Sequence, residues 1–336
     1  METLLAKPSQ DIVDRACEYI NNKQVVALPT ETVYGLFADA TSSCACEEIF
    51  KAKERPMDNP LIVHICNYNM LTEVAAEIPE DALKLADVFW PGPLTIILKK
   101  SDIIPDAISA GLDTVGIRMP QNPVILEIIS KTGLPLAGPS ANRSGRPSPT
   151  NAQYVYDDLK GRIPLIIDGG SCKVGVESTV LSLAGDTPVI FRPGYVTQKQ
   201  ISEVLGKQVL LSKGITEELS AEDKVLSPGL KHRHYAPKCE VTIINASFEK
   251  YREKVLQDGA VAFCFEEYAD KIDGQCVVYG RKGDSASQAA NLFTALRKLD
   301  EIGANKAYAA MPDMDDVGLA VYNRLLRSAE FRVVNL

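Results

Sequence analysis

No stretch of this 336-residue chain stays apolar long enough to cross a bilayer, since runs such as Leu94–Leu98 and Val180–Leu183 are far too short. The opening residues Met1-Glu2-Thr3-Leu4-Leu5-Ala6-Lys7 lack the basic stretch and long apolar core of a secretory signal, and none is expected. A basic excess is missing too. The 36 Lys and Arg against 44 Asp and Glu leave a net charge of −8, which argues against a broad nucleic-acid-coating surface. A local basic pocket stays compatible with that total, and a small anionic substrate needs no more. There is no C-x-x-C pair among Cys17, Cys44, Cys46, Cys66, Cys172, Cys239, Cys264 and Cys276. Free, mostly buried thiols in a reducing compartment, the cytoplasm, are expected. Cys44 and Cys46 have no second ligand pair nearby to make a metal site. The P-loop, the G-x-G-x-x-G turn, the G-x-S-x-G elbow and H-E-x-x-H are all absent, so a nucleotide site must be built another way.

What is present is ordinary globular composition, 46% hydrophobic and 24% charged, with length enough for two cores. Apolar periodicity predicts strands at 24–28, 61–65, 94–99, 115–119, 136–138, 165–167, 180–183 and 189–191. It predicts helices at 45–53, 81–89, 123–131 and 199–205. Several strand pairs have links too short for a parallel crossover, so the sheet should be large and mixed. After the polar stretch Ser212–Lys224 comes Ser227-Pro228-Gly229-Leu230-Lys231-His232-Arg233-His234-Tyr235-Ala236-Pro237, which reads as a connector. Beyond it, strands at 241–244, 260–265 and 276–279 alternate with helices at 248–257, 285–299 and 319–327, a small open α/β domain of Rossmann-like outline. The expected division is a first domain over 1–206, a linker over 207–238 and a second domain over 239–336.

Three segments carry candidate chemistry. Pro29-Thr30-Glu31-Thr32-Val33-Tyr34-Gly35-Leu36 follows a strand; if extended, it turns Thr30, Thr32 and Tyr34 to one face, and if a turn, its threonines cap backbone groups. In Lys53-Glu54-Arg55, Pro56 ends the helix near Lys53 and an extended geometry would aim both cations one way, which suits a polyphosphate. The same cations also suit a solvated helix end. Gly138-Pro139-Ser140-Ala141-Asn142-Arg143-Ser144-Gly145 runs from a strand into small polar residues, either an anion-binding row of N–H groups or a plain turn. Arg118 and Arg192 close two strands, and Glu177-Ser178-Thr179 edges a third, which begins to look convergent. His64 alone reads as a hydrogen-bonded core histidine, and His232 with His234 lacks a third metal ligand. Lys231, Arg233 and Tyr235 on the connector suit a lid over a bound anion.

Taken together these segments resemble the YrdC-like threonylcarbamoyl-adenylate synthases in their long two-domain form. The resemblance rests on Pro29–Leu36, Lys53-Glu54-Arg55, Asn59-Pro60-Leu61, Trp90-Pro91-Gly92-Pro93, Arg118-Met119-Pro120, Ser140-Ala141-Asn142, Glu177-Ser178-Thr179, Arg192-Pro193-Gly194 and the connector from Ser227. It implies a nucleotidyltransferase fold with an N-terminal YrdC-like domain, and a reaction of L-threonine, bicarbonate and ATP giving threonylcarbamoyl-AMP and pyrophosphate. The product would serve a separate transferase that modifies tRNA to threonylcarbamoyladenosine. By the resemblance Thr32, His64, Arg118 and Ser178 face threonine or its carbamate, and Lys53 and Arg55 meet the phosphates. Asn59, Thr114, Ser140, Asn142, Ser148, Arg192 and Tyr235 complete the nucleotide contacts. Mg2+ would be held by ATP oxygens, with no dedicated protein ligands. Two other readings compete: an RNA-binding module of the same fold, opposed by the acidic total and by the lack of exposed aromatic stacking motifs, and a carbamoyl-adenylate maker of the hydrogenase-maturation kind, whose extra domains this chain lacks.

Overall fold

The computed structural model describes residues 1–57, 59–217 and 235–336. Eleven strands form one sheet. In chain order they are β1 (Leu4–Ala6), β2 (Val26–Leu28), β3 (Gly35–Asp39), β4 (Ile62–His64), β5 (Leu94–Lys99) and β6 (Thr114–Arg118). Then come β7 (Leu136–Gly138), β8 (Leu165–Ile167), β9 (Thr179–Ser182), β10 (Val189–Arg192) and β11 (Leu210–Leu211). Their spatial order is β1-β8-β2-β3-β7-β4-β6-β5-β9-β10-β11. The sheet is mixed as expected: β4 and β6 run parallel, whereas β3 with β7 and β5 with β6 run antiparallel. Residues 210–211, which fall in the expected linker, instead pair with β10 as an edge strand.

Local signals set the helices that flank it. Asn122 caps the helix Pro123–Thr132, Pro123 supplies a preset φ, and Gly133 at φ 65° ends it. Thr197 and Gln200 form a reciprocal capping box on the helix Gln198–Leu205. The helix Ser43–Lys53 is closed by Glu54 in the left-handed conformation at φ 54°, with the Arg55 N–H returning to the Phe50 carbonyl at 3.0 Å. That geometry corrects the extended Lys53-Glu54-Arg55 segment expected above. Lys53 is the last residue of a helix, and the chain turns sharply before Arg55.

A second, all-parallel sheet comprises β12 (Glu240–Asn245), β13 (Val261–Cys264), β14 (Cys276–Val278), β15 (Lys306–Ala310) and β16 (Val333–Asn335). Its order, β14-β13-β15-β12-β16, keeps the Rossmann-like outline but inserts β15 between β12 and β13. The two units are closely docked. Val33 and Val176, from loops of the large sheet, belong to the apolar core of the small one. A Cβ on Gly175 would lie 2.4 Å from backbone atoms of Ala289 and Ala290, so only glycine admits this approach to the helix Ser285–Glu301. Buried Arg297 from that helix pairs with Asp158 at 2.8 Å and donates to the Pro147 carbonyl at 2.5 Å.

Glycine also sets the centre of the large sheet, where a Cβ on Gly138 would come within 2.4 Å of the Phe37 ring and 2.7 Å of the Leu36 carbonyl. Gly138→Ala is expected to lower unfolding free energy in urea by ~1–3 kcal/mol through overpacking. Gly185→Ala, whose Cβ would meet nothing within 4 Å, should stay within ~0.5 kcal/mol. Equal stabilities of the two variants would contradict this packing.

Candidate active site

Along the middle of the large sheet, several loops and strand ends open onto one cavity enclosing about 770 Å³, part of it open to solvent. Its apolar wall includes Val33, Phe37, Leu61, Ile62 and Pro139. Lys53, Arg55, Arg118 and Arg192 supply positive charge to the same space.

Lys53 is buried at the end of its helix, and its Nζ donates to the Ser140 and Asn142 carbonyls at 2.5 Å each. Burial pushes its ammonium well below the ordinary lysine range, and the charge of Arg55 beside it acts in the same direction. The turn therefore spends two carbonyls on a cation. Its Ala141 N–H is also committed, to the Tyr34 carbonyl at 2.8 Å, so of the two readings of Ser140-Ala141-Asn142 the geometry favours the turn over a bare row of N–H donors. Asn142 fixes the following loop by donating to the Arg143 and Arg146 carbonyls at 2.7 and 2.9 Å, and Ser140 Oγ donates to its side-chain oxygen.

The Pro29–Leu36 segment splits between its two readings. Thr30 Oγ1 donates to the Val33 carbonyl at 2.5 Å and accepts from the Val33 N–H, a turn cap. Thr32 lines the cavity and accepts from Arg118 Nη1 at 3.0 Å. Tyr34 does not share that face, because its hydroxyl donates to the Gly170 carbonyl at 2.7 Å. The bend between them breaks the alternation that an extended strand would have imposed.

Arg118 reaches the cavity from the end of β6. Its Nε donates to the Gly92 carbonyl at 3.2 Å, and its Nη2 lies 2.6 Å from Glu31 Oε1. The other Glu31 oxygen accepts the Gln121 N–H at 3.1 Å. His64, at the end of β4, is buried with Nδ1 3.1 Å from the Ile62 carbonyl and the Phe37 ring edge-on at 4.9 Å. Burial, helped by the Arg118 charge, pushes its pKa down to about 3, so the imidazole is neutral at physiological pH.

At the far edge of the cavity group, Ser178 Oγ lies 2.8 Å from Thr95 Oγ1 and accepts from Arg192 Nη2 at 3.2 Å. Arg192 Nε donates to the Ser178 carbonyl at 3.1 Å. Burial pushes the Arg192 guanidinium below its ordinary value. Tyr235 also lines the cavity, its ring 5.1 Å from that of Phe293, and the next N–H donates to the Gly145 carbonyl at 3.0 Å. Burial holds the Tyr235 phenol above its usual value, with Glu177 adding to the rise.

Three sequence-predicted residues stand off the main wall. Asn59 is buried next to it, its backbone carbonyl accepting from Arg55 at 3.2 Å while both side-chain amide atoms are buried without a partner. Thr114 lines an adjoining pocket of about 280 Å³ that shares Pro60, Leu61 and Ile62 with the cavity. Ser148 lies behind the wall and donates to Glu177 at 2.6 Å. Lys231, His232, Arg233 and His234 fall outside the described residues. Sequence reasoning missed Glu31, Phe37 and Glu177 as individual residues. The two acids sat inside motifs already singled out, and Phe37 lies on β3, whose five buried residues lack strand-like alternation.

No cysteine lines the cavity among the described residues, and none of the lining serines hydrogen-bonds to a histidine. Fixed cations around a partly apolar chamber in an α/β fold make a site suited to a small polyanion. Comparison with known proteins makes the assignment particular. Residues 18–194 match the Sua5/YciO/YrdC family model, described as telomere recombination, and residues 196–330 match the model of the threonylcarbamoyl-AMP synthase C-terminal domain. A threonylcarbamoyl-AMP synthase of Pyrococcus abyssi is 41% identical, over 96% of this chain and 95% of its own. One of Bacillus subtilis is 43% identical, over 96% and 94%. The crystal structure of P. abyssi Sua5 complexed with L-threonine superposes with a TM-score of 0.91 at 38% identity, covering 100% of this chain and 99% of that one. The chain belongs to the threonylcarbamoyl-AMP synthase family, in its two-domain form.

The depressed His64 pKa has a consequence for stability. A histidine that is neutral when folded and protonates near pH 6.5 when unfolded favours the folded state above pH 6.5, and that contribution drains away as pH falls toward about 3. His64→Asn should therefore narrow the gap in thermal midpoint between pH 7 and pH 4.5 relative to the parent protein. An unchanged gap would mean that the imidazole is not buried neutral.

Proposed function

We propose that this chain is an L-threonylcarbamoyladenylate synthase, a nucleotidyltransferase. The reading is supported most by four cations, Lys53, Arg55, Arg118 and Arg192, on one cavity in a member of this family. The threonine nitrogen adds to the carbon of bicarbonate and water is lost, giving a carbamate. A carbamate oxygen then attacks the α-phosphorus of ATP, the bond to the bridging oxygen breaks, and pyrophosphate leaves with the electron pair. Negative charge grows on the departing phosphates, where Lys53 and Arg55 stabilise it more in the transition state than in the ground state.

Arg118 takes the threonine carboxylate, with Thr32, His64 and Ser178 beside it. A neutral His64 suits that place, because a second cation would compete with Arg118 for its Glu31 partner. Ser140, Asn142, Asn59, Arg192 and Tyr235 address the nucleotide; the unpartnered Asn59 amide offers both a donor and an acceptor to it. Ser148 acts from behind through Glu177, and Thr114 from the adjoining pocket. Mg2+ enters with ATP. Among the described residues the carboxylates beside the cavity, Glu31 and Glu177, are each engaged by an arginine, which leaves ATP oxygens and water to hold the ion. A carbamate and an acyl-adenylate both decay in water, and Tyr235 on the rim serves to cover them. The product passes to a separate tRNA-modifying transferase. Among the described residues no helix is long and apolar enough to cross a membrane, and the eight free thiols fit a cytoplasmic protein. We also propose the division 1–206, 207–238 and 239–336, with the large sheet as the catalytic domain and the start of the linker lending it the edge strand β11.

Purified protein given ATP, Mg2+, bicarbonate and one amino acid at a time should release pyrophosphate with threonine and bicarbonate together. Release that ignores threonine would sink this reading. Lys53→Ala and Arg55→Ala should each lower turnover by about 10²-fold or more while the far-UV spectrum is retained. Near-normal turnover in both would displace the phosphate site.

A further inference from the structure

The small domain has a contact that the proposed chemistry does not yet use. Arg324, on the helix Asp316–Ser328, is fully buried and lies at the back of the cavity. Its Nε donates to Glu177 Oε2 at 2.9 Å, its Nη2 to the Glu177 carbonyl at 3.3 Å, and its Nη1 to the Pro193 carbonyl at 2.7 Å and to Asn323 Oδ1 at 3.1 Å. One guanidinium from the second domain thus ties together the residue before Ser178 and the residue after Arg192.

Glu177 is the carboxylate placed between two buried arginines. Burial raises its pKa, but the charges of Arg324 and then Arg192, with the Ser148 hydroxyl, more than offset that and hold it below the usual carboxylate range. Its side chain accepts hydrogen bonds from Arg324 and Ser148. Among the described residues Arg192 makes no ion pair; its Nε and Nη2 both go to the neutral Ser178. An arginine held by neutral acceptors presents its full charge to an incoming anion, whereas a paired carboxylate offsets part of that charge.

We propose that Arg324 is a positioning residue that keeps Glu177 turned away from Arg192, so that Arg192 is free to receive the nucleotide anion. The inference rests on ATP being the ligand, as proposed above. Without Arg324, the remaining cation whose charge acts on Glu177 is Arg192, and the carboxylate competes with phosphate for it. The small domain then acts on affinity through one internal charge, in addition to lending stability to the whole.

Calorimetric titration with ATP and with inorganic pyrophosphate tests this on the full-length chain. Arg324→Met should weaken ATP by about tenfold, and KM for ATP should rise more than kcat falls. Arg324→Lys, which keeps the charge but loses the fork to the two carbonyls, should fall between Met and the parent. Glu177→Gln combined with Arg324→Met removes the competitor and the uncompensated buried charge together, and should bring ATP affinity back to within about threefold of the parent. Arg297→Met cuts another buried interdomain arginine that touches Asp158 and Pro147, and should lower the thermal midpoint without moving ATP affinity. If Arg324→Met is insoluble, the Lys variant and the double variant give the same comparison. Parent-like ATP affinity in Arg324→Lys and Arg324→Met, no recovery in the double variant, or equal weakening by Arg297→Met would each overturn the inference. A parent protein that binds neither ATP nor pyrophosphate would sink the functional reading as well, and ATP binding without threonine-dependent turnover would sink that reading alone.

Discussion

Too many positive charges are buried in one place, and the rest of the site is arranged around that constraint. Lys53, Arg118, Arg192 and Arg324 are all nearly or wholly out of water, where an unpaired cation is costly and a pair of like charges repels strongly. The carboxylates set against them are Glu31, on Arg118, and Glu177, on Arg324. Lys53 is satisfied by carbonyls and Arg192 by a serine, neither of which cancels a charge. The remaining positive potential is what a polyphosphate neutralises. The same arithmetic explains an acidic chain with an anion site: few of its acids are buried, and the buried cations on the cavity, Lys53, Arg118 and Arg192, each close a helix or a strand.

How much of this was legible follows from where each signal lies in the chain. β5, β7 and β8 were read at their observed bounds because each is a short apolar run framed by proline, glycine or charge. β15, Lys-Ala-Tyr-Ala-Ala, was missed because alanine has little strand preference, and its burial between β12 and β13 decides its conformation instead. The helix Gln10–Asn21 was also missed, although Ser9 caps it and Ile12, Val13, Ala16, Cys17 and Ile20 recur at helical spacing and pack on the core. In the site, motif residues such as Lys53, Arg118, Ser178 and Arg192 were legible, because each closes or edges a predicted element. Their geometry was not. The bend at Thr30–Thr32 and the left-handed Glu54 depend on local closure that alternation rules cannot see.

Arg324 was beyond sequence reasoning for a simpler reason: its partner is 147 positions away, and on its own helix it is one more arginine on an amphipathic segment. Buried ion pairs across domains leave no local periodicity. They become visible only when the two partners are found on the same contact, as are Arg297 and Asp158.

The edge strand β11 links the two sheets mechanically. It is hydrogen-bonded to β10, which ends in Arg192. The residues just beyond it, Gly214 and Ile215, offer their carbonyls to Arg327 and Asn323, at 2.6 and 2.7 Å, on the same helix that carries Arg324. The small sheet is therefore not tied to the large one by a slack string. A rotation of one against the other would strain those two bonds or pull on the short ladder at Val189 and Ile190, two residues before Arg192, which makes the domain interface a drawbar hitched close to the site.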